Sequence, residues 1–168
     1  VAKNDEAHLG LQNQFAERTI EKVYHAIVCG ELKNSRGEIR AAIARHPTHR
    51  KRMAVAQGEG RDAWTTYRVA SRLKHSTLVE ATILTGRTHQ IRVHLAHVGF
   101  PIAGDDKYGD FARNKELARH GLKRMFPHAS SVTFLHPVEE LTMTVEAPLP
   151  PELQKFIAQL DNENAAPI

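Results

Sequence analysis

The spacing of apolar side chains along the chain predicts several strands. Apolar positions recur at roughly every second residue in residues 19–29, 63–73 and 76–84, which is the pattern of a half-buried strand. Only Lys74 and His75 separate the last two segments, so we expect these two strands to form a hairpin. Further strands are predicted over residues 38–44, 129–135 and 141–147.

The helical period is clearest over residues 88–98. Ile91, Leu95 and Val98 fall at i, i+4 and i+7 and are expected to form the buried face, while Gly99 supplies a C-terminal stop. Three more helices are predicted over residues 5–18, 115–121 and 152–160.

Together these elements predict one α+β domain, with a largely antiparallel mixed sheet and flanking helices. We expect it to occupy residues 1–160 and to be followed by a frayed tail over residues 161–168. A length of 168 residues, with 41% apolar and 25% charged residues, suits a single hydrophobic core. No apolar run approaches the roughly 20 residues that span a bilayer. The single cysteine, Cys29, excludes an internal disulfide, so a cytoplasmic protein is expected.

Positive charge is concentrated in the first half of the chain. The net charge is +4, but the first 84 residues alone contain 14 basic and 9 acidic side chains. The densest point is residues 45–52, a proline-containing segment in which Arg45, Arg50, Lys51 and Arg52 stand with two histidines and no acid. Such a loop suits the phosphates of a nucleic acid, although a loop that only adds solubility has the same composition.

One segment at a predicted strand-to-helix junction concentrates polar side chains. It contains Arg87, His89, Gln90, Arg92 and His94 within eight residues. Backbone N–H groups at the start of a helix attract anions, and the guanidinium of Arg87 adds donors that suit a phosphate. Arg92 is expected at the edge of the buried face, where it needs a carboxylate partner that no nearby part of the sequence obviously supplies. A helix start decorated with solvated polar side chains is the alternative.

The 11 histidines do not show the spacing of a metal site. The chain has no His-Glu-x-x-His motif and no second cysteine, and the helix that carries His94 and His97 has no acid to complete a ligand set. Glycine motifs that bind nucleotide phosphates are absent too. We therefore expect neither a metal nor a cofactor.

Several stretches together resemble the RluA-type pseudouridine synthases. Residues 85–94 (Thr-Gly-Arg-Thr-His-Gln-Ile-Arg-Val-His), followed by Gly-Phe-Pro-Ile at 99–102 and Gly-Asp-Asp-Lys-Tyr-Gly at 104–109, are similar to the signature of that family. The resemblance covers nearly the whole chain. Three further stretches agree in order and spacing: residues 22–24 (Lys-Val-Tyr) with the Lys-x-Tyr strand of the family, residues 46–55 and 66–69 with its RluD-like branch, and residues 128–129 and 147–150 with its closing strands.

The resemblance implies an enzyme that isomerises uridine to pseudouridine in RNA without cofactor or metal, and the RluD-like segments favour large-subunit ribosomal RNA. It implies that Arg92 pairs with the nucleophilic aspartate and that Tyr24 packs on the flipped uracil. It places Arg87, His89 and Gln90 at the rim of the pocket. It also implies that Arg45, Arg50, Lys51 and Arg52 contact RNA phosphates. We further expect the protein to be a monomer.

The sequence departs from the family where the nucleophile is concerned, and a smaller departure is Pro127 before His128, where members usually have a leucine. Members carry the nucleophile in a His-Arg-Leu-Asp type motif just upstream of a segment that resembles residues 1–4, and none of the 168 residues shows that motif. We expect the chain to be a C-terminal portion of the synthase catalytic domain, without the nucleophile and inactive alone. A noncatalytic RNA-binding module that uses the same basic loop is the alternative hypothesis.

Overall fold

Strands form most of the regular structure. The computed structural model describes residues 9, 20–119, 121–122, 125, 128–135 and 141–165. The helices there are α1 (Gln90–His97), α2 (Phe111–Arg119) and α3 (Pro151–Ala165). The strands are β1 (Glu21–Cys29), β2 (Arg36–Arg40), β3 (Ile43–Arg45), β4 (Met53–Val55), β5 (Trp64–Leu73), β6 (Ser76–Ile83), β7 (His128–Leu135) and β8 (Thr142–Glu146).

Six strands form one sheet in the order β2-β5-β6-β1-β7-β8, and β3 pairs with β4 in a separate two-stranded sheet. The α+β class, the largely antiparallel sheet and the flanking helices are confirmed. The sheet is not mixed as predicted, because every strand pair within the described residues is antiparallel. The short turn between β5 and β6 has room only for an antiparallel pair, since a parallel pair needs a long crossover.

The predicted hairpin forms between β5 and β6. Leu73 pairs with Ser76 across the turn, and His75 adopts the left-handed conformation with φ 54°. The turn therefore closes without the Asn-Gly pair that such turns favour. A register shift between Val69 and Ser71 marks a bulge in β5.

The strand predicted over residues 38–44 is divided into β2 and β3. Ile39 is buried against the six-stranded sheet, whereas Ile43 is buried in a second cluster with Ala63 and Val93. The two isoleucines are four residues apart and would share one face of an uninterrupted strand. Because they are buried in different clusters, the chain leaves the large sheet between them.

Helices cover both faces of the large sheet. Side chains alternate along β1, so Ala26 and Val28 face α1, whereas Ile27 and Cys29 face the side of α2 and α3. Burial of apolar surface on both faces is the main source of stability. The α1 side also contains Leu32, Ile39, Val79, Ala81, Ile91, Leu95 and Ile102. The other side also contains Leu73, Leu78, Ala103, Leu117, Leu122, Leu153 and Phe156.

The buried face of α1 differs from the predicted one. Ile91 and Leu95 are buried as expected, but Val98 is 38% exposed. The polar side chains of Gln90 and His94 are buried instead. Both polar side chains can replace an apolar residue in the interface because they form hydrogen bonds to Thr65 on β5.

The other helices have different bounds from those predicted. α2 begins earlier, at Phe111, because Asp110 Oδ1 accepts the backbone N–H of Arg113 at 3.0 Å and caps the first turn. α3 continues to Ala165, beyond its predicted end. The helix predicted over residues 5–18 lies almost entirely outside the described residues. Over the residues that the structure describes, none of the helices is long and apolar enough to cross a membrane.

Candidate active site

A buried ion pair joins α1 to the turn that follows it. Arg92 donates from Nε to Asp105 Oδ2 at 2.9 Å and from Nη2 to Asp105 Oδ1 at 2.8 Å, in a two-pronged arrangement. The side chain of Asp105 is 0% exposed and that of Arg92 is 14% exposed. Arg92 therefore has a carboxylate partner within this chain, which corrects the expectation that no nearby residue supplies one.

The backbone holds Asp105 as well. Its Oδ1 accepts the N–H groups of Lys107 at 2.9 Å and Tyr108 at 3.1 Å, so the carboxylate organises the turn. Burial acts to raise the pKa of Asp105, but the hydrogen bonds from Arg92, Tyr108 and Lys107 and the charge of Arg92 outweigh it. The pKa therefore lies below its ordinary value, and Asp105 is ionised at neutral pH.

The side chain of Tyr108 links three parts of this site. Its ring centre lies 5.1 Å from Cζ of Arg92. Its hydroxyl accepts the N–H of Met53, the first residue of β4, at 2.8 Å and lies 2.9 Å from Nδ1 of His89. The site thus extends from α1 to the two-stranded sheet.

His89 precedes α1 in the left-handed conformation, with φ 55°, and its side chain makes no capping hydrogen bond to the helix. The half-buried imidazole contacts Tyr108 instead. Burial lowers the pKa of His89, and the charges of Arg92 and Lys107 lower it further against the opposing effect of Asp105. His89 is therefore neutral at pH 7.

Gln90 lies inside the fold, with 2% of its surface exposed. Its Nε2 donates to the carbonyl of Trp64 at 2.9 Å and to Thr65 Oγ1 at 3.0 Å, and its Oε1 accepts the Thr85 hydroxyl and the N–H of Arg87. This placement corrects the expected position at the pocket rim. Gln90 joins β5 and the end of β6 to α1, and a contact with RNA would require these hydrogen bonds to break.

His94 continues the same network and is fully buried. Its Nε2 lies 2.8 Å from the carbonyl oxygen of Ala41, and its Nδ1 lies 2.8 Å from Thr65 Oγ1. Because a carbonyl only accepts, Nε2 carries the proton and Nδ1 accepts the Thr65 hydroxyl. Burial lowers the pKa of His94, although the hydrogen bond to Ala41 opposes it, so the ring is held neutral. No group of three or more potential metal ligands occurs among the described residues.

We expect buried His94 to make the protein less stable in mild acid. A histidine with a lowered folded pKa binds more protons when unfolded, so its contribution is complete above the ordinary pKa of 6.5 and is lost as pH falls. Urea denaturation should show that, below this pH, His94 lowers the free energy of unfolding by up to about 1.4 kcal/mol per pH unit. His94→Gln should flatten the pH dependence, because it removes the buried imidazole that gains a proton on unfolding. Identical pH dependence in wild type and His94→Gln would contradict this assignment.

The basic loop connects β3 to β4, and together they form a basic hairpin, residues 43–55. The side chains of Arg45, Arg50 and Lys51 are exposed, and that of Arg52 is half-buried. Arg45 Nη1 donates to the backbone carbonyl of Arg50 at 2.6 Å, so the loop has an ordered conformation of its own. These four cations, which are predicted to bind RNA, thus lie together on one hairpin.

The remaining predicted site residues lie at two places. Arg87 is half-buried and donates from Nε to the carbonyl of Asp62 at 2.7 Å. Tyr24 is on the α1 side of β1 and packs against the cluster that contains Ile91 and Leu95, and burial raises its pKa. The hydrogen bonds, ion pairs and ring contact described for Arg92 lead to residues 105–108. A pocket shared by Tyr24 and Arg92 therefore stays a prediction, although both elements lie on one face of the sheet.

Residues 1–97 match the family model described as RNA pseudouridylate synthase. The chain belongs to this family. The resemblance of residues 85–94 and their neighbours to pseudouridine synthases is thereby confirmed. The matched region of this chain includes Tyr24, the basic hairpin and Arg92, whereas Asp105 and Tyr108 lie beyond it.

Curated relatives agree with the family. The chain is 40% identical over 160 residues to "Ribosomal large subunit pseudouridine synthase C" of Vibrio vulnificus (strain CMCP6), with 95% of this chain and 50% of that protein covered. It is 40% identical over 172 residues to "Ribosomal large subunit pseudouridine synthase D" of Xanthomonas campestris pv. campestris, with 98% and 51% covered. The chain spans about half the length of the curated relatives it matches.

Solved structures show the same fold. "Human RNA Pseudouridylate Synthase Domain Containing 1" superposes with a TM-score of 0.75 at 29% identity, with 99% of this chain and 75% of that chain covered. "Human RNA Pseudouridylate Synthase Domain Containing 4" gives a TM-score of 0.73 at 25% identity, with 94% and 68% covered.

Proposed function

We propose that the protein is an RNA pseudouridine synthase that isomerises uridine in large-subunit ribosomal RNA. Family membership supports the chemistry, and the names of the relatives support the substrate. One structural observation carries the proposal: Tyr24 and the helix that bears Arg92 pack on the same face of the sheet, and that helix also packs against the basic hairpin. A flipped base and the RNA backbone could thus be held side by side.

In this proposal Arg92 orients an aspartate nucleophile and keeps its ion pair with Asp105. A guanidinium has five N–H donors. Asp105 accepts from Nε and Nη2, and Nη1 has no hydrogen-bond partner among the residues that the structure describes. The pair with Asp105 fixes the plane of the guanidinium, so Nη1 is available to a second carboxylate in a defined direction. Such pairing would keep that carboxylate ionised.

The isomerisation replaces one bond to the ribose by another. The bond from C1′ to N1 of the uracil breaks, and a bond from C1′ to C5 forms. N1 gains a proton and C5 loses one, so atoms and electrons balance without a cofactor. We assign Tyr24 to the support of the flipped uracil, because its half-buried ring faces the α1 side, and its raised pKa keeps the hydroxyl protonated at neutral pH. The exposed cations of the basic hairpin would hold the RNA backbone.

Deletion of the encoding gene should remove at least one pseudouridine from large-subunit ribosomal RNA, as mapped by carbodiimide modification and primer extension. The wild-type gene should restore it. We expect Arg92→Lys to restore less than about a tenth, because an ammonium lacks the planar fork that binds Asp105 on one edge and a second carboxylate on another. Arg68→Lys, at an exposed arginine that pairs with Glu80, should restore it fully.

Two outcomes would contradict the proposal. If every pseudouridine remains after deletion and the protein still binds ribosomal RNA, the noncatalytic RNA-binding hypothesis is correct. If Arg92→Lys restores the modification as well as Arg68→Lys does, the assigned role of Arg92 is wrong. The expected monomer, cytoplasmic location and independence of metals stay predictions.

A further inference from the structure

Tyr108 contacts the basic hairpin, the start of α1 and the Arg92–Asp105 pair, which must keep fixed relative positions for the proposed reaction. Its hydroxyl accepts the Met53 N–H of the basic hairpin at 2.8 Å and lies 2.9 Å from His89 at the start of α1. Its ring lies against Arg92, and its own N–H is bound by Asp105. One side chain thus touches the element that would grip RNA and the element that bears Arg92.

The protons of this contact can be assigned from donor and acceptor chemistry. A backbone N–H only donates, so the Tyr108 oxygen accepts from Met53. The hydroxyl proton is then available for Nδ1 of His89, which accepts it when the imidazole is neutral. The ring of His89 also lies edge-on to that of Tyr108, with centroids 5.6 Å apart at 70°. The hydroxyl therefore bridges the hairpin to the helix start with both bonds satisfied.

The hairpin has stabilising contacts that do not need this hydroxyl. β3 and β4 pair through three residue pairs, and Ile43 is buried with Val93 while Met53 and Val55 pack against them. The bond from Met53 lies where the basic loop re-enters the sheet. Its loss should leave the hairpin folded and packed on Val93, but less firmly held in its angle to α1.

We propose that Tyr108 is a positioning residue, whose hydroxyl locks the basic hairpin to the start of α1 and so fixes where gripped RNA lies relative to Arg92. This inference rests on the proposed synthase function. It separates two properties: the cations of the hairpin determine how tightly RNA binds, and Tyr108 determines how accurately the bound RNA is placed.

The test compares Tyr108→Phe with Tyr67→Phe in the protein as its gene encodes it. Tyr67 is a matched control, since it is also half-buried on the α1 side and its hydroxyl has no hydrogen-bond partner among the described residues. In Tyr108→Phe we expect amide hydrogen exchange at Met53 to be about tenfold faster or more, because its acceptor is lost. We also expect kcat on a ribosomal RNA fragment to fall about tenfold with KM within about twofold of wild type. Tyr67→Phe should change neither property.

Several results would overturn the inference. Met53 exchange that is equal in the two variants would show that the hydroxyl does not hold the hairpin. Faster exchange with unchanged kcat would show that the link does not position RNA. A parallel loss of kcat and of the folded fraction, followed by circular dichroism at the assay temperature, would indicate a merely structural role.

Failure of the proposed function gives a different pattern. If the wild-type protein forms no pseudouridine, the synthase assignment is wrong. The proposed role of Tyr108 then stands only if Tyr108→Phe has two effects. It must accelerate amide exchange at Met53, and it must spread the hydroxyl-radical protection of the RNA fragment by the hairpin over more nucleotides, with weaker protection at each. If either effect is missing, the inference is wrong as well.

Discussion

Replacing Arg92 by alanine is expected to lower the free energy of unfolding by about 3–5 kcal/mol at neutral pH. Asp105 would keep its two backbone N–H donors but lose the guanidinium, although its side chain is 0% exposed. An ionised carboxylate without a charge partner is costly in such a place. Urea denaturation of wild type and Arg92→Ala at pH 7 measures the difference. Lost turnover in Arg92→Ala would therefore mix instability with lost chemistry, which makes Arg92→Lys the better probe of function.

A paired substitution separates the charge from the loss of packing. Arg92→Met combined with Asp105→Asn should recover most of the lost stability, because an asparagine Oδ1 can still accept the N–H groups of Lys107 and Tyr108. Equal stability of Arg92→Ala and wild type would show that the ion pair contributes little.

The same ion pair has a defined pH signature. In the wild type the pKa of Asp105 is lowered, so its contribution is present above the ordinary value of 3.8 and is lost as pH falls through the folded pKa. In Arg92→Ala, burial is no longer opposed by the arginine, so the pKa of Asp105 rises and protonation relieves the penalty. The unfolding free energies of the two proteins should therefore converge between pH 7 and about 4.

Removal of the four hairpin cations should produce the largest change in RNA binding. With Arg45, Arg50, Lys51 and Arg52 replaced by alanine, the slope of log affinity against log salt should flatten by about 3, since each cation neutralises at most about one phosphate. Affinity at 0.1 M salt should fall by about a hundredfold or more. Filter binding or fluorescence anisotropy with a ribosomal RNA fragment between about 0.05 and 0.3 M salt measures both.

A control with the same change in net charge tests the location of the RNA surface. It replaces four exposed cations elsewhere, namely Lys33, Arg36, Lys74 and Lys115. If the control flattens the slope as much as the hairpin variant does, binding reflects overall charge and the hairpin is not the RNA surface.

Local sequence was sufficient where neighbouring residues decide the structure. The β5–β6 hairpin was predictable because two long strands are joined by only two residues, which permits only antiparallel pairing. The helix near Arg92 was predictable from its apolar spacing, and family membership from residues 85–94. The division between β2 and β3 was not predictable, because the spacing of Ile39 and Ile43 fits one face of a single strand. Only the tertiary structure shows that the two side chains are buried in different hydrophobic clusters.

In the site, too, some features follow from the sequence and others require the tertiary structure. The sequence by itself determined that Arg92 needs a carboxylate, since an arginine at the edge of a buried helix face must be compensated. Asp105 and Asp106 are adjacent, identical in type and in the same turn. Only the tertiary structure decided that Asp105 is fully buried against Arg92 while the side chain of Asp106 is 92% exposed. It likewise decided that polar Gln90 is buried and apolar Val98 is not, because hydrogen-bond partners from distant strands determine which side chains can leave water without cost.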